Sequence, residues 1–466
     1  MNTGGPVMTW PKKSINSYKP SMNKPYRSIS SGLKIRGFTN KSSSPENPEG
    51  RPGQPRRKPA RKKTLPKRKN GAPPRAIRRG PESMDQTIQI DAPCTCPHCQ
   101  KQTDLSNTDT TSFVQEDIVL RPQTVVTHYI HSTAWCPKCR RQVIRKPQNQ
   151  LPFAPIGPNA KAAALYLRHE LRLPYRKIQE AMSTLFGLDF VPASSLGFEK
   201  RARKNADPLY EDLVSKMRHC NLVHADETHW RQDGENYFLW YAGNEDVAVF
   251  HMDAHQSAEA AQVLLGERIE GLLVTDAYAA YNAIEVSGRQ SCLAHLLRKA
   301  DELRKELGTM KKPDLDSTRF CNRLIDLFKQ ACAKKLPWSK KAQTKLKNHF
   351  LRALDLICEK SLAFAKAETL RKRLIPGARE YTEVFTFIES KGPPTNNHAE
   401  RALRLLVIFR KVCMGTRSDQ GSENISVFSS LTQTAKLQNS SVLDLFSALI
   451  TSSPQQAHGV IFDNST

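Results

Sequence analysis

The stretch that decides the fold runs from residue 221 to residue 276. It contains, in order, NLVHAD (221–226), YFLWYAG (237–243), VAVFHMD (247–253), SAEAAQVLLGE (257–267) and GLLVTD (271–276). Short apolar runs bounded by polar or turn residues indicate strands, whereas SAEAAQVLLGE has the apolar spacing of a helix. The first three runs follow one another closely, which predicts an antiparallel meander.

Three strands, a helix and a fourth strand, followed by further α/β units, is the element order of a ribonuclease-H-like fold. We therefore predict an α/β protein in which the first and fourth strands lie side by side. A further strand around SCLAH (291–295) leads into a helix near LLRKADELRKEL (296–307). Residues from about 301 to 385 are mostly helical and basic, so they are predicted to be an insertion before the next core helix. The lysine pairs of this insertion, at 334–335 and 340–341, indicate either a solvated face or a DNA groove.

Three carboxylates occupy distinctive positions on these elements. Asp226 ends the first strand, Asp276 ends the fourth, and Glu400 opens a helix in TNNHAERALRLL (395–406). Such residues converge on one pocket if the two strands are neighbours. Oxygen ligands of this kind suit Mg²⁺, and two such ions about 3.5–4 Å apart activate a water or a 3′-hydroxyl against a phosphodiester.

Each carboxylate also has a purely structural interpretation. Asp276 would cap the turn after its strand, and Glu400 stands three residues after Asn397, as in a capping box. Asp226 would pair with Arg231. Glu227 follows Asp226 directly, but strand alternation points it to the other face of the sheet.

Positive charge is concentrated at the front of the chain. The protein has 466 residues and a net charge of +26. Residues 1–80 contain 21 lysines and arginines against 2 glutamates, a net charge of +19 that leaves +7 for the remainder, and 12 of the 30 prolines. We predict a disordered, basic, proline-rich arm over residues 1–90 that binds phosphates; a solvated tail or a localisation signal is the alternative.

Cysteine usage predicts one metal site in a reducing compartment. Five of the 11 cysteines lie between residues 94 and 139, and the others are scattered. CPHC (96–99) and CPKC (136–139) are two copies of one turn, which predicts a closed structural Zn²⁺ site with ligands Cys96, Cys99, Cys136 and Cys139. Cys94 is a spare thiol. The segments FVQEDIVL (113–120) and TVVTHYIH (124–131) are predicted to form a hairpin within this 91–150 domain.

Residues 151–215 have a helical, helix-turn-helix-like pattern. The predicted helices are KAAALYLRHELRL (161–173), YRKIQEAMSTLFG (175–187) and SSLGFEKRARK (194–204). Ser194 or Ser195 would cap the last helix. Its basic side chains would then lie on DNA, or else form an ordinary basic surface; they are Lys200, Arg201, Arg203 and Lys204.

Nothing in the sequence predicts a membrane protein. No apolar run approaches spanning length, and MNTGGPVMTWPKK (1–13) lacks the apolar region of a signal peptide. Together with the cysteine usage, these features predict a cytoplasmic protein. The remaining divisions are a catalytic domain over residues 216–450 and a tail over 451–466.

The motifs resemble the insertion-sequence 66 family of bacterial DDE transposases. The resemblance is carried by HADET (224–228), VTDAYAAYN (274–282), CLAHLLRKADEL (292–303), NNHAERALR (396–404) and GTRSDQGSENISVFSSLTQTAKL (415–437), together with CPHC and CPKC. It implies a ribonuclease-H-like core with Asp226, Asp276 and Glu400 as catalytic triad, two Mg²⁺ or Mn²⁺ ions per site, and one structural Zn²⁺.

The same resemblance implies the partners. They are double-stranded DNA of the element ends and target, small accessory proteins of the element, and further copies of the chain on DNA. Cys292 and His295 match a Cys-x-x-His feature of several DDE families, or are a buried thiol and a helix-start histidine. Phosphate contacts are expected from Arg404, Arg410 and Lys411, unless these only cover a helix surface. The family's leucine-zipper-like first helix is replaced here by the basic arm.

Three functions remain open on the sequence. The first is a transposase that cleaves element ends and joins them to target DNA. The second is a zinc-containing DNA-binding protein without catalysis, and the third is a ribonuclease-H-like nuclease. The three carboxylates favour an enzyme over a pure binding protein, and the zinc unit and helical insertion favour a transposase over a simple nuclease.

Overall fold

A computed structural model describes residues 87–88, 93–95, 98, 100–102, 124–130, 132–144, 151 and 154–462. The chain divides into two compact units, residues 1–112 and 113–466. In the first unit, Thr95 and Gln102 form an antiparallel bridge. The basic arm and the predicted strand at 113–120 lie outside the described residues.

A small hairpin in the second unit surrounds the second cysteine turn. Strands β1 (Thr133–Cys136) and β2 (Arg141–Ile144) pair antiparallel, with Thr133 opposite Ile144. Residues 124–130 are not a strand, so the predicted hairpin partner over 124–131 is wrong. The chain reverses over residues 137–140, where Arg140 has a φ of 47°. The residues on either side of this turn pair with each other.

The larger sheet has five strands. They are β3 (Leu222–Gln232), β4 (Glu235–Gly243), β5 (Ala248–Asp253), β6 (Arg268–Thr275) and β7 (Glu285–Ser291). Their order across the sheet is β5-β4-β3-β6-β7, with β3, β4 and β5 antiparallel and β3, β6 and β7 parallel. The predicted meander and the predicted adjacency of the first and fourth strands are confirmed.

Helices surround this sheet. Their bounds are α1 (Pro158–His169), α2 (Tyr175–Phe186), α3 (Pro192–Arg218), α4 (Ala258–Leu265), α5 (Leu293–Gly308), α6 (Leu315–Ala333), α7 (Lys340–Cys358), α8 (Ala365–Arg373), α9 (Arg379–Glu383), α10 (Phe387–Ser390), α11 (Asn397–Cys413), α12 (Asp419–Leu437), α13 (Val442–Thr451) and α14 (Pro454–Phe462), with a 3₁₀ helix at Ala279–Ala283. The strand predicted around SCLAH lies earlier, because β7 ends at Ser291 and Cys292 is the N-cap residue of α5.

None of the described helices is both apolar enough and long enough for a membrane span.

The two faces of the sheet pack against different helices. Val223, Ala225 and Trp240 belong to a core shared with α1, α3, α4, α12 and α13. Trp230 and Tyr241 belong to a second core, beneath α11. This division follows strand alternation: in β3 the odd-numbered Val223 and Ala225 face the first core and the even-numbered Trp230 faces α11, whereas in β4 Trp240 faces the first core and Tyr241 faces α11.

The helices from α5 to α10 form a third core. Phe320, Leu324 and Phe328 of α6 are buried together with Phe350 and Phe385. The helical character predicted for residues 301–385 is confirmed. This helical unit lies between β7 and α11 in the chain, and its last helices contact β7 through hydrogen bonds of Gln290 to Val384 and Phe387.

Helix α3 is longer than predicted and belongs to the main core. It begins at Pro192 with Val191 as its N-cap residue, so the prediction that Ser194 or Ser195 caps it is wrong. Proline suits the first helical position because its φ is fixed at a helical value and it lacks an amide hydrogen. Phe198, Ala202 and Leu213 of α3 are buried in the core that also contains the sheet.

A buried polar cluster joins α1 and α2 to α3 and α12. Glu199, 1% exposed, accepts from the Tyr175 hydroxyl at 3.0 Å and from Asn424 Nδ2 at 2.7 Å. His169 Nε2 lies 3.1 Å from Glu199 Oε1, and Arg168 Nε lies 3.8 Å from the same oxygen. Burial alone would raise the pKa of Glu199, but His169, Arg168 and Asn424 together outweigh it, so the net pKa is lowered.

We expect Glu199→Ala to destabilise the protein by about 3–5 kcal/mol, since Arg168 would remain buried without its anion. The measurement is denaturant unfolding, with Glu180→Ala as control. Glu180 forms an ion pair with Lys177 in which both side chains are 63% exposed, so its loss should change the free energy by no more than about 0.5 kcal/mol. Equal effects of the two variants would contradict a stabilising cluster.

The same cluster predicts acid sensitivity. Burial lowers the pKa of His169 below its usual 6.5, and Glu199 is also lowered, so the folded chain binds fewer protons than the unfolded chain. The cluster's stabilisation is therefore fully present above about pH 6.5 and is lost progressively as the pH falls. Wild type should therefore have a smaller unfolding free energy at pH 5 than at pH 7.5, and Glu199→Ala should lose at least as much over this range, because His169 then lacks the carboxylate that raises its pKa.

Candidate active site

Strand pairing places Asp226 and Asp276 at the same edge of the sheet. β3 and β6 run parallel, and their observed pairing ends with His224 opposite Val274; continued by two residues, this register brings Asp226 opposite Asp276, which lies just past the end of β6. Asp276 follows the last residue of β6, and its Oδ1 accepts from the amide of Tyr278 at 2.9 Å. The two carboxylates therefore stand at the carboxyl ends of neighbouring parallel strands.

Glu400 lies in the first turns of α11, the helix that covers the even-numbered face of β3. Its Oε1 lies 3.4 Å from Arg298 Nη2 and 3.6 Å from His295 Nε2, both on α5. Asp226 and Trp230 are both even-numbered residues of β3, so they lie on the same face of the sheet. Trp230 packs under α11. Glu400 and the two aspartates thus come from three elements that meet at one edge.

Asn396 fixes the start of α11 on the sheet. This side chain is fully buried, and its Nδ2 donates to the carbonyl of Ala225 at 2.8 Å, directly before Asp226. Its Oδ1 lies 2.8 Å from His224 Nδ1, and its backbone amide donates to Cys292 Sγ at 3.0 Å. One residue therefore connects β3, the start of α5 and α11, and so determines where Glu400 lies relative to Asp226.

The electrostatics of this edge are dominated by negative charge. Burial is the main cause that raises the pKa of the Asp226 carboxyl to about 8. The charges of Glu227 and Asp276 raise it next, and Glu400 adds a smaller contribution. A divalent cation would favour the charged form of Asp226, because an opposite charge at short range stabilises a carboxylate.

The donor set fits Mg²⁺ or Mn²⁺, since all three side chains offer carboxylate oxygen. Among the described residues, no three His, Cys, Asp or Glu side chains stand close enough together to hold one ion. Binding of an ion shared by the three carboxylates would therefore draw them closer than they lie here.

Glu227 lies on the opposite face from Asp226, as strand alternation predicts. Its carboxylate accepts from the Tyr281 hydroxyl at 2.6 Å and from Gln256 Nε2 at 2.9 Å. Tyr281 in turn packs edge-on against Trp240, which belongs to the core on that face. Burial raises the pKa of Glu227 as well, while the Tyr281 hydrogen bond lowers it.

The structural interpretations of the three carboxylates have mixed outcomes. Asn396, not Asn397, is the N-cap residue of α11 and its side chain makes no capping bond, so the predicted capping box for Glu400 is wrong. Arg231 bonds to Asn236 instead of pairing with Asp226. Asp276 does support the turn after β6 through Tyr278, which is compatible with a second role for its free oxygen.

Cys292 and His295 contribute to the site in different ways. Cys292 is buried, and its sulfur accepts the Asn396 amide, so it acts as a packing and hydrogen-bonding partner. Its pKa is raised, mainly by burial. His295 lies one helical turn later and faces Glu400, with its Nδ1 buried and without a partner among the described residues.

The predicted DNA-binding side chains differ in exposure. Lys200, Arg201 and Lys204 of α3 are exposed, whereas Arg203 is held by Asp207, Asn424 and Glu423. On α11, Arg404 and Lys411 are exposed and Arg410 donates to the carbonyl of His229. Arg203 and Arg410 therefore already have protein partners, which leaves the other five side chains as the available cations.

The predicted zinc ligands are described only in part. Cys136 ends β1 and Cys139 lies in the turn that follows, whereas Cys96 and Cys99 lie outside the described residues. Hydrogen bonds from the backbone and side chain of Cys139 lower the pKa of the Cys136 thiol. A low thiol pKa favours the thiolate form that binds metals.

Sequence reasoning did not identify Asn396, His224 or Tyr281 as parts of this site. A signal was present for Asn396, because asparagine directly before a helix is a favoured N-cap residue. Its function here is different: the side chain reaches across to β3 instead of capping its own helix. That contact joins residues 171 positions apart and leaves no local pattern.

Together these features define an α/β protein with acidic side chains at the ends of two central parallel strands and on a covering helix. Residues 154–424 match the family model described as the transposase IS66 family, over more than half of the chain. The chain belongs to this family of DDE transposases, which are encoded by insertion sequences and act on DNA. No curated protein gives a match.

Proposed function

We propose that this protein is the transposase of a bacterial insertion sequence, which binds the ends of its element and catalyses metal-dependent strand cleavage and strand transfer. The observation that carries the proposal is the register of β3 on β6, which sets Asp226 beside Asp276, under the helix that carries Glu400. The ribonuclease-H-like order of the elements supports the same function.

Asp226, Asp276 and Glu400 are the proposed ligands of two Mg²⁺ or Mn²⁺ ions. When bound, such ions supply an activated water or 3′-hydroxyl and stabilise the leaving oxygen of a phosphodiester. The protein's part is to hold the carboxylates at fixed points: Asp226 and Asp276 by the strand pairing, and Glu400 through Asn396. Arg298 and His295 keep Glu400 oriented until the ions bind.

DNA is proposed to lie across the exposed cations of two helices. Arg404 and Lys411 continue from Glu400 along α11, and Lys200, Arg201 and Lys204 form an exposed group on α3. These contacts would position the phosphate backbone without reading sequence. Family membership further suggests a homo-oligomer on DNA and small accessory proteins of the element.

A direct assay separates this function from the two alternatives. Purified protein is incubated with duplexes that carry the DNA bordering its coding sequence, in Mg²⁺ or Mn²⁺. Cleavage restricted to the ends of the element, where inverted repeats would border the coding sequence, supports a transposase. Equal cleavage of any duplex indicates a nuclease. Binding without cleavage at any metal concentration indicates a zinc-containing DNA-binding protein.

We propose that Cys96, Cys99, Cys136 and Cys139 bind one structural Zn²⁺ per chain. Metal analysis of the purified protein should give a stoichiometry near one, and Cys96→Ser with Cys136→Ser should abolish it. Cys332→Ser is the control, because this exposed thiol lies on α6, far along the chain from both cysteine turns. A wild-type zinc content near zero would contradict the site.

The basic arm is proposed to bind phosphates of DNA. Removal of residues 1–80 deletes most of the net positive charge, so non-specific affinity should fall and the slope of log affinity against log salt should flatten. Discrimination between element ends and random DNA should survive, because phosphate contacts carry no sequence information. An unchanged salt slope in filter binding would show that the arm does not contact DNA.

A further inference from the structure

Trp338 is 89% exposed on the loop between α6 and α7. Single exposed apolar side chains are common on proteins, so exposure alone says little about function. Two features distinguish this indole. It is presented by a loop that is fixed at both ends, and it stands among exposed lysines.

The loop that presents Trp338 is held by buried and capping contacts. Gln343, 1% exposed, donates through its side chain to the carbonyl of Pro337 at 2.7 Å. Ser339 caps α7 by accepting from the amide of Ala342. Trp338 lies between these two anchored residues, so its backbone position is defined although its ring is in solvent.

Lys391, the residue that follows α10, lies over the ring. Lys391 Nζ is 5.7 Å from the centroid of Trp338, within the range of a cation–π contact. This proximity is built in, because Glu389 of α10 accepts from Thr344 and Lys347 of α7 and ties the two helices together. Lys391 itself is exposed and follows the end of α10 in a left-handed conformation with φ of 57°.

The surroundings of the ring are strongly positive. Lys391 lies over the ring, and four further exposed lysines flank Trp338 in the sequence; they are Lys334, Lys335, Lys340 and Lys341. In the described part of the chain, no carboxylate lies within ion-pair distance of any of these five. An aromatic face with uncompensated cations around it is the arrangement that binds single-stranded nucleic acid, where bases stack and phosphates are neutralised.

We propose that Trp338, with Lys391 and the two lysine pairs, binds single-stranded DNA by stacking an unpaired base on the indole. The proposal rests on the proposed transposase function, since a strand break at an element end allows the base pairs beside it to open. The location fits that step. Lys391 begins the segment that leads through Pro394 to Asn396, and the Pro394 carbonyl accepts from the amide of Leu293 at the start of α5. Trp338 with its surrounding lysines, here called the patch, is thus connected to the carboxylate site by one short segment.

The experiment compares full-length wild type, Trp338→Ala and Trp338→Phe in binding to a short oligo(dT) strand and to a duplex of equal length, without divalent ions. Loss of one stacked base should weaken oligo(dT) binding about 5–150-fold in Trp338→Ala, and less in Trp338→Phe. Duplex affinity should change less than about twofold, because paired bases offer no free face. Lys391→Ala should weaken oligo(dT) binding and flatten its salt dependence.

A spectroscopic readout reports on the ring itself. The emission of wild type minus that of Trp338→Phe isolates Trp338 from the other four tryptophans, of which Trp230 and Trp240 are buried. Stacking should quench this difference emission when oligo(dT) binds. Leu356→Ala, which removes another exposed apolar side chain of α7, is the control and should behave as wild type.

Equal oligo(dT) affinity of wild type and Trp338→Ala, or unquenched difference emission with the strand bound, would overturn the proposal. A change in self-association alone would overturn it too, in favour of a protein contact. These outcomes are independent of catalysis, because the binding assays contain no divalent ion. If the carboxylate variants cleave DNA normally while Trp338 still binds oligo(dT), the proposed catalytic site fails and the patch stands.

Discussion

The Asp226→Asn protein should lose Mg²⁺-dependent cleavage of end-bearing DNA by on the order of 10³-fold or more, and so should Asp276→Asn and Glu400→Gln. An amide keeps the shape of each side chain but removes the negative charge that a divalent cation needs. Since the three residues act as one unit, double variants should be scarcely worse than single ones. DNA binding should persist or tighten slightly, because fewer anions would face the phosphates.

Glu227→Gln is the matched control for these variants. It changes a neighbouring buried carboxyl to an amide, but on the opposite face, where the amide oxygen can still accept from Tyr281. Most of the cleavage activity should remain. A fully active Glu400→Gln protein would show that this residue only orients Arg298 and His295, and the proposed triad would be wrong.

The second large effect is expected at Asn396, which touches neither metal nor DNA in this account. Asn396→Ala removes the bonds to the Ala225 carbonyl and to His224, so Glu400 would no longer be held in place relative to Asp226. Loss of such a supporting contact typically costs 10–100-fold in metal affinity or activity. We expect the Mg²⁺ concentration for half-maximal cleavage to rise by about this factor, with activity largely restored at high Mg²⁺.

Asn397→Ala provides the comparison, because Asn397 is the next residue in the chain, starts the same helix and is exposed. It should leave the Mg²⁺ dependence unchanged. A general loss of folding would lower the maximal rate of Asn396→Ala without moving its Mg²⁺ midpoint. That result would show that Asn396 stabilises the fold and does not position Glu400.

The sequence predicted the centre of the fold well, for a physical reason. Each strand from β3 to β6 contains a short stretch rich in apolar residues, and buried strands leave this signal in single sequences. The adjacency of β3 and β6 followed from the order of the elements, and their pairing confirms it. The positions of Asp226 and Asp276 on the sheet were thereby predictable, whereas their catalytic role stays a prediction.

Features that depend on distant contacts were not predictable. The cluster around Glu199 includes Asn424, which is 225 residues away in the chain. The sequence near Glu199 gives no sign of this contact, because it has the pattern of an ordinary helix. The basic stretch of α3 predicted either a DNA-facing helix or an ordinary basic surface, and neither interpretation indicated that Arg203 is held by α12 or that the apolar side of α3 belongs to the main core. The hairpin was misplaced because β-branched residues at 124–130 predicted a strand, whereas the described residues of that stretch are not in a strand and the pairing is between residues 133–136 and 141–144.

The most direct test of the central claim is a Mn²⁺ titration of wild type, the three carboxylate variants and Glu227→Gln, with free Mn²⁺ followed by electron paramagnetic resonance. Wild type and Glu227→Gln should both bind Mn²⁺, wild type more tightly as the pH rises towards the Asp226 pKa of about 8, and Glu227→Gln already at lower pH, because the charge of Glu227 no longer raises that pKa. Asp226→Asn, Asp276→Asn and Glu400→Gln should each lose that binding. Equal Mn²⁺ binding by wild type and all three carboxylate variants would contradict the account.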